Sequence, residues 1–187
     1  MKKITLALLA VATIALGACS GNKVSAEKFA EEAKKVEEEH YTEATVKYEL
    51  KENMILYSTE GEGEIKYTRD DNGGWTTSSE DTNAEEFETY LSANVKTFDP
   101  TEGSAEEMPD GIEVNVAYYV NPFKVTVTAK GTATSEGMKV TADLKGEYKF
   151  DKCGCMTYVY SDMVMDMESS GMKMQMTYYV KATISYK

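Results

Sequence analysis

The sequence predicts an α+β fold, in which a strongly curved antiparallel β-sheet forms a half-barrel with two helices on its concave side. Apolar and polar residues alternate with period two through most of the chain, which is typical of strands with one buried and one wet face. Two segments, 26–40 and 84–97, instead repeat apolar residues at helical spacing. Two helices of this length cover only part of so large a sheet, so the sheet could curl into a half-barrel with the helices in its mouth or fold into a sandwich. The half-barrel is the fold predicted here.

Composition narrows the class of protein. The 187 residues are 42% hydrophobic and 28% charged, which suits one globular domain, predicted over residues 25–187. The formal charge of -12 disfavours nucleic acid as a partner. The single histidine, His40, and the single arginine, Arg69, leave most hydrolase, phosphotransferase and zinc mechanisms without their usual groups. No cofactor is expected.

The first residues have the pattern of an export signal. Lys2 and Lys3 precede an apolar run at 4–16, which is shorter than the roughly 20 residues that span a bilayer. The sequence Leu-Gly-Ala-Cys at 16–19 resembles the bacterial lipobox. That resemblance implies removal of residues 1–18, lipidation of Cys19 and anchoring to a membrane outside the cytoplasm, in the bacterial cell envelope. An ordinary signal peptide that contains a cysteine is the alternative.

The chain after the predicted cleavage site is more acidic than the whole. Residues 1–18 contain two lysines and no acidic residue, so the chain from Cys19 has a formal charge of -14. Such a body is repelled by anionic headgroups, and the acyl chains at Cys19 must hold it at the membrane. Residues 19–24 are predicted to be a lipidated polar tether.

Local signals place the two helices. Ser25 is a good N-cap for the segment 26–40, whose apolar face contains Phe29, Ala33 and Val36. Asn83 and Glu86 have the spacing of a capping box at the start of the second helix. A turn is expected at 70–74, where Asp-Asp-Asn-Gly-Gly is better explained by a hairpin than by a calcium loop.

The last hairpin contains the most specific pattern in the sequence. Met-x-Met-x-Met occurs at 163–167 and again at 172–176. A turn centred on Ser169–Ser170 predicts that Met167 pairs with Met172, Met165 with Met174, Met163 with Met176, Val159 with Val180, and Asp166 with Lys173. Six methionines would then share one face of two adjacent strands.

The order of elements resembles a known class of carriers. An exported chain with an N-terminal helix, strands, a strand–turn–Trp segment from Tyr67 to Trp75, a mid-chain helix and long hairpins is similar to the LolA and LppX/LprG families. The resemblance covers most of the chain after Cys19 and includes no diagnostic motif. It implies an unclosed barrel that holds acyl chains of a lipid or lipoprotein against an apolar concave face.

The shared face of the six methionines has three interpretations. Thioethers adapt to irregular partners, so the face could line an acyl-chain cavity, or it could be ordinary core under a helix. Soft-metal binding of Cu(I) or Ag(I) is a further alternative, as is a surface lipoprotein with a structural or adhesive role. The predicted function is a non-enzymatic, membrane-anchored lipid-binding lipoprotein. The predicted lining residues are Met163, Met165, Met167, Met172, Met174, Met176, Val125, Val140 and Leu144.

The remaining cysteines and histidine offer no clear catalyst. Cys153 and Cys155 could be free thiols, a strained disulfide or an intermolecular link, and a structural role is favoured. Along the strand, Cys155 is about 27 Å from Met163, so thiols and thioethers are not expected to share a metal. No nucleophile or carboxylate pair is singled out by its spacing, so no enzymatic activity is predicted.

Overall fold

The computed structural model describes residues 21–37, 40–54, 57–100, 110–135 and 137–187. The predicted signal peptide and Cys19 lie outside the described residues. The described elements are β1 (Asn22–Val24), α1 (Ala26–Ala33), β2 (Glu43–Asn53), β3 (Ser58–Arg69), β4 (Trp75–Thr76), α2 (Ala84–Ser92), β5 (Ile112–Val120), β6 (Lys124–Ser135), β7 (Met138–Phe150), β8 (Met156–Ser169) and β9 (Met172–Tyr186).

The strands form one open, curved antiparallel sheet in the order β1-β5-β6-β7-β8-β9-β2-β3-β4. Strands β5 to β9 follow one another as hairpins, and β2 then pairs with β9 along most of its length. The first and last parts of the chain therefore lie side by side within the sheet. The α+β class is confirmed as a mainly antiparallel sheet with two helices.

Burial alternates along the strands as the sequence pattern predicts. In β2 the even-numbered residues from Ala44 to Leu50 are buried, and in β7 those from Ala142 to Phe150 are buried. The side chains of these and the other long strands form one apolar face, and both helices pack against part of it. The core on this face contains, among others, Val46, Leu50, Ile65, Tyr67, Val125, Val127, Leu144, Val159 and Val180.

Helix α1 begins where predicted and ends early. The Ser25 hydroxyl accepts a hydrogen bond from the Lys28 backbone N–H, and Phe29 packs against Tyr118 of β5 at 5.1 Å between ring centroids. The helix ends at Ala33, so the prediction of a helix to residue 40 is wrong. A longer helix would have placed the glutamates from residue 37 onward at its C-terminal end. The helix dipole is negative at that end and disfavours negatively charged side chains.

Helix α2 is also shorter than the predicted segment 84–97. It ends at Ser92 because Ala93 is extended, and the Val95 N–H donates to the Gly154 carbonyl at 2.8 Å. The turn that contains Gly154, far away in the sequence, thus binds a backbone group that would otherwise have belonged to the helix. The predicted capping box is wrong as well, because Glu86 accepts a hydrogen bond from Tyr178, and the Asn83 side chain makes no capping hydrogen bond.

The segment 70–74 is a hairpin turn, as predicted. The Asp70 N–H donates to the Gly74 carbonyl, and one carboxylate oxygen of Asp70 accepts from the N–H groups of Asn72 and Gly74. The turn leads into Trp75, which is 9% exposed and belongs to the core. The carboxylate of Asp70 is therefore used by the turn itself.

Phe87 is the main apolar anchor of α2, since it is fully buried and lies 4.7 Å from the Tyr48 ring. We expect Phe87→Ala to lower the free energy of unfolding by about 3–5 kcal/mol. Urea unfolding measures the change, and Thr89→Ala on the exposed side of the same helix is the control. Equal effects of the two substitutions would show that α2 is not packed against the sheet.

Candidate ligand-binding face

The methionines of β8 and β9 share one face, with a different pairing from the predicted one. The turn is Ser170–Gly171, with φ of 51° and 80°. Met167 therefore pairs with Met174, Met165 with Met176, Met163 with Tyr178, Ser169 with Met172, Val159 with Ala182, and Asp166 with Gln175. The predicted pairs are wrong.

Turn chemistry explains the error. A two-residue hairpin of this type needs positive φ at both central positions, and glycine adopts it without steric cost. Placing the turn at Ser169–Ser170 left Gly171 outside the turn. The correction displaces the pairing by two residues along one strand, and two is the period of the side chains. The methionines therefore stay on a common face although each has a different partner.

The neighbouring strand continues this face. Val140, Met167 and Met174 form one cross-strand row. The next row joins Ala142 to Met165 and Met176, and the third joins Leu144 to Met163 and Tyr178. Val140 and Leu144 thus lie where predicted relative to the methionines. We name these three rows, together with the tip row of Met138, Ser169 and Met172, the methionine face.

Val125 is the predicted lining residue that lies apart. It is on the same side of the sheet, but it pairs with Tyr148, which in turn pairs with Val159. The distance along the strand between Tyr148 and Leu144 is about 14 Å. Val125 is fully buried and belongs to the packed core, away from the methionine face.

Exposure increases along the methionine face toward the hairpin tips. Met163 and Met165 are 4% and 6% exposed, Met167, Met174 and Met176 are half-buried, and Met172 at the tip is 65% exposed. Met138 of β7, in the same row but separated from Met172 by Ser169 of β8, is 39% exposed. The expectation that all six methionines are sheltered is wrong for Met172, because the tip extends beyond the end of β2, which pairs no further than Thr177.

A carboxylate lies at the buried end of the methionine face. Glu86 projects from the first turn of α2 and accepts a hydrogen bond from the Tyr178 hydroxyl. Burial raises the pKa of Glu86, the bond from Tyr178 opposes that shift, and the nearby charge of Glu52 adds to it. Tyr90, on the same helix, has its own pKa raised well above the usual value by burial. Helix α2 thus places two titratable groups, the Glu86 carboxyl and the Tyr90 hydroxyl, against Tyr178 on the apolar side of the sheet.

The sequence did not predict the buried carboxylate of Glu86, although Glu52 nearby gave one signal of it. Glu52 continues the alternation of Val46, Tyr48 and Leu50, so it occupies a position that faces the core. A charged residue at the end of an apolar face marks a place where the face opens or where the charge is partnered. Burial raises the pKa of Glu52, and a hydrogen bond with Tyr57 lowers it.

The cysteines lie at the other end of the sheet, in the turn between β7 and β8. Cys153 and Cys155 are not joined in a disulfide, and Cys153 is buried. Asp151 accepts hydrogen bonds from both of their backbone N–H groups, at 2.8 and 2.9 Å. Among the described residues, no group of three or more His, Cys, Asp or Glu side chains could hold a metal ion.

A depression of about 390 Å³ near the hairpin tips is lined by residues from both faces of the same strands, among them Met167 and Met174 of the methionine face. It is lined by Lys139, Thr141, Asp166, Met167, Glu168, Lys173, Met174 and Gln175. Most of these side chains are charged or amide-bearing, so the depression does not have the chemistry of an acyl-chain cavity.

Comparison with known proteins identifies no relative: no family model, curated protein or solved structure matches this chain. Within the part of the chain that the structure describes, no helix is long and apolar enough to cross a membrane.

The raised pKa of Glu86 predicts how stability depends on pH. Protonated Glu86 is favoured in the folded state, so its contribution is greatest below the ordinary value of 4.5 and is lost as pH rises through the raised pKa. We expect Glu86→Gln to gain stability relative to wild type as pH increases above 4.5. Denaturation midpoints from pH 4 to 8 measure this.

The matched control for this substitution is Glu85→Gln, in the same helical turn on an exposed residue. It should leave the pH profile of wild type unchanged. A Glu86→Gln profile parallel to that of wild type would show that the carboxylate titrates normally.

Proposed function

We propose that this protein is a non-enzymatic, membrane-anchored extracytoplasmic lipoprotein that binds or carries a hydrophobic acyl-chain ligand on its methionine face. The observation that carries the proposal is the continuity of that face. It runs from buried Met163 and Met165, through half-buried Met167 and Met174, to exposed Met172, which lies opposite Ser169 in the tip row. An acyl chain could extend along such a strip and bury its length progressively.

Side-chain chemistry supports the same proposal. Methionine is unbranched and flexible, so a strip of thioethers can conform to a chain with several conformations. A purely structural core has no reason to extend past the cover of its helix. We further propose that the sheet curves toward α1 and α2, so that both helices occupy its concave side as in the LolA-like carriers that the element order resembles.

The anchor at Cys19 is the second part of the proposal. It rests on the Leu-Gly-Ala-Cys sequence at 16–19, preceded by a positively charged and then an apolar segment. Two or more acyl chains hold a protein stably at a bilayer, whereas one chain binds only marginally. A protein with this anchor would act where lipids leave or enter a membrane.

Replacing Cys19 tests the anchor. We expect Cys19→Ser to abolish acylation and leave the chain either soluble or unprocessed, because serine provides no thiol for the thioether. Fractionation of cells and the mass of the N-terminal peptide measure the result. A processed Cys19→Ser protein that still partitions fully with membranes would overturn the anchor.

Replacing two methionines tests the ligand face. Met167→Gln/Met174→Gln keeps side-chain length but removes apolar surface worth on the order of 1.5–3 kcal/mol for a buried methionine. We therefore expect affinity for an acyl lipid to fall at least about tenfold. Native mass spectrometry of protein purified from membranes detects lipid bound noncovalently.

The control for the ligand test is Val164→Gln, a half-buried apolar residue on the opposite face of β8, which should change lipid binding little. Absence of bound lipid in wild-type protein, together with no binding of added fatty acid, would overturn the carrier function. The opposed pairs Met165–Met176 and Met167–Met174 favour the alternative, a soft-metal site. Tight Cu(I) binding in calorimetry that the double variant loses would support that alternative instead.

A further inference from the structure

The chain enters the sheet at a defined end. Strand β1 pairs with β5, with Asn22 opposite Val120 and Val24 opposite Tyr118. Three of the six residues predicted to form a tether are therefore part of the sheet, and only Ser20 and Gly21 separate Cys19 from β1. Three residue steps span at most about 11 Å. Cys19 is held within that distance of Asn22.

On the polar face, this end of the sheet presents a continuous cross-strand row. Lys23 pairs with Tyr119, Tyr119 with Lys124, and Lys124 with Lys149. The row continues through Tyr158 and Thr183 to Lys47. We name it the lysine–tyrosine row, and it consists of Lys23, Tyr119, Lys124, Lys149, Tyr158, Thr183 and Lys47.

The centre of the row is positively charged. The ammonium groups of Lys124 and Lys149 share one carboxylate, that of Glu147, at 3.7 and 2.9 Å. Lys124 Nζ lies 4.4 Å from the centroid of the Tyr119 ring, and Lys149 Nζ lies 4.5 Å from that of Tyr158. The side chains of Lys124 and Lys149 are only 12% and 32% exposed, and the rings and the Glu147 carboxylate help to hold them in place.

The next row toward the hairpin tips has the opposite charge balance. It contains Glu147, Lys181, Glu49 and Glu62. The register continues the lysine–tyrosine row from Lys47 to Glu64 on β3, whose carboxylate lies 3.3 Å from the Lys47 ammonium, so the row contains four lysines and one glutamate up to that strand. In a chain of formal charge -12, this end of the polar face is therefore locally positive.

We propose that the lysine–tyrosine row is a membrane-facing surface that contacts the anionic headgroups of phospholipids when the protein is anchored. The proposal rests on the anchor at Cys19 from the proposed function. Lysines near a bilayer are attracted to anionic lipid, and tyrosine rings are favoured at the level of the headgroups. The short connection to Cys19 brings the β1 end of this row close to the anchor.

This orientation directs the methionine face away from the anchoring membrane. Between Lys149 and Met138, β7 rises about 37 Å at roughly 3.4 Å per residue. The exposed tip residues Met138 and Met172 thus stand at the far end of the sheet from β1. A ligand at the tips would be exchanged with an acceptor on the outer side and not with the lipid beneath the protein.

Hydrogen exchange of the lipidated protein tests the proposal. The full processed protein is reconstituted into vesicles of phosphatidylcholine alone or with one part in three of phosphatidylglycerol. We expect amides of β1 and of the segment 119–124 to exchange at least about threefold more slowly in the anionic vesicles. Amides at the tip, 167–174, should exchange equally in both.

A matched pair of variants completes the test. Lys23→Gln/Lys47→Gln changes two exposed residues of the row, and Lys130→Gln/Lys173→Gln removes the same charge nearer the tips. The first variant should lose the protection and the second should keep it. Equal exchange in both kinds of vesicle, equal loss in both variants, or protection of the tip would overturn the proposal. A missing acyl mass on the N-terminal peptide would identify failure of the anchor itself, and the proposal would fall with it.

Discussion

The period-two alternation of the long antiparallel strands is the constraint on which the rest of this structure depends. Because neighbouring residues point to opposite faces, each cross-strand row belongs wholly to one face. The row of Val140, Met167 and Met174 is apolar for this reason, and the row of Lys23, Tyr119 and Lys124 is polar. One sheet thereby has two chemically separate surfaces that share the same backbone.

The same constraint determines what the helices must do. A sheet with one apolar face needs a cover, and α1 and α2 provide it through Phe29 and Phe87. Helix α2 also brings Glu86 onto that face, where burial raises the pKa of its carboxyl group. A carboxylate there costs stability at neutral pH, and such a cost is common where a surface serves binding as well as packing.

The length of the strands separates two ends with different chemistry. Near β1 the polar face is basic and aromatic, and the turn between β7 and β8 contains the thiols of Cys153 and Cys155. At the other end the hairpin tips expose Met138 and Met172. A proposed membrane contact at one end and a proposed ligand face toward the other are compatible because the sheet keeps them apart.

The sequence by itself determined the features that depend on near neighbours. These are the strand alternation, the start of α1 at Ser25, the turn at Asp70–Gly74 and the common face of the methionines, which follows from parity alone. The tertiary structure decided what depends on residues far apart in the chain. The Gly154 carbonyl accepts a hydrogen bond from the Val95 N–H just after α2, which ends the helix. The Tyr178 hydroxyl donates to Glu86, which therefore does not form the expected capping box. The pairing of β1 with β5 decides which end of the sheet lies next to Cys19. Local spacing has no information on such contacts, because their free energy arises only when distant segments are already packed together.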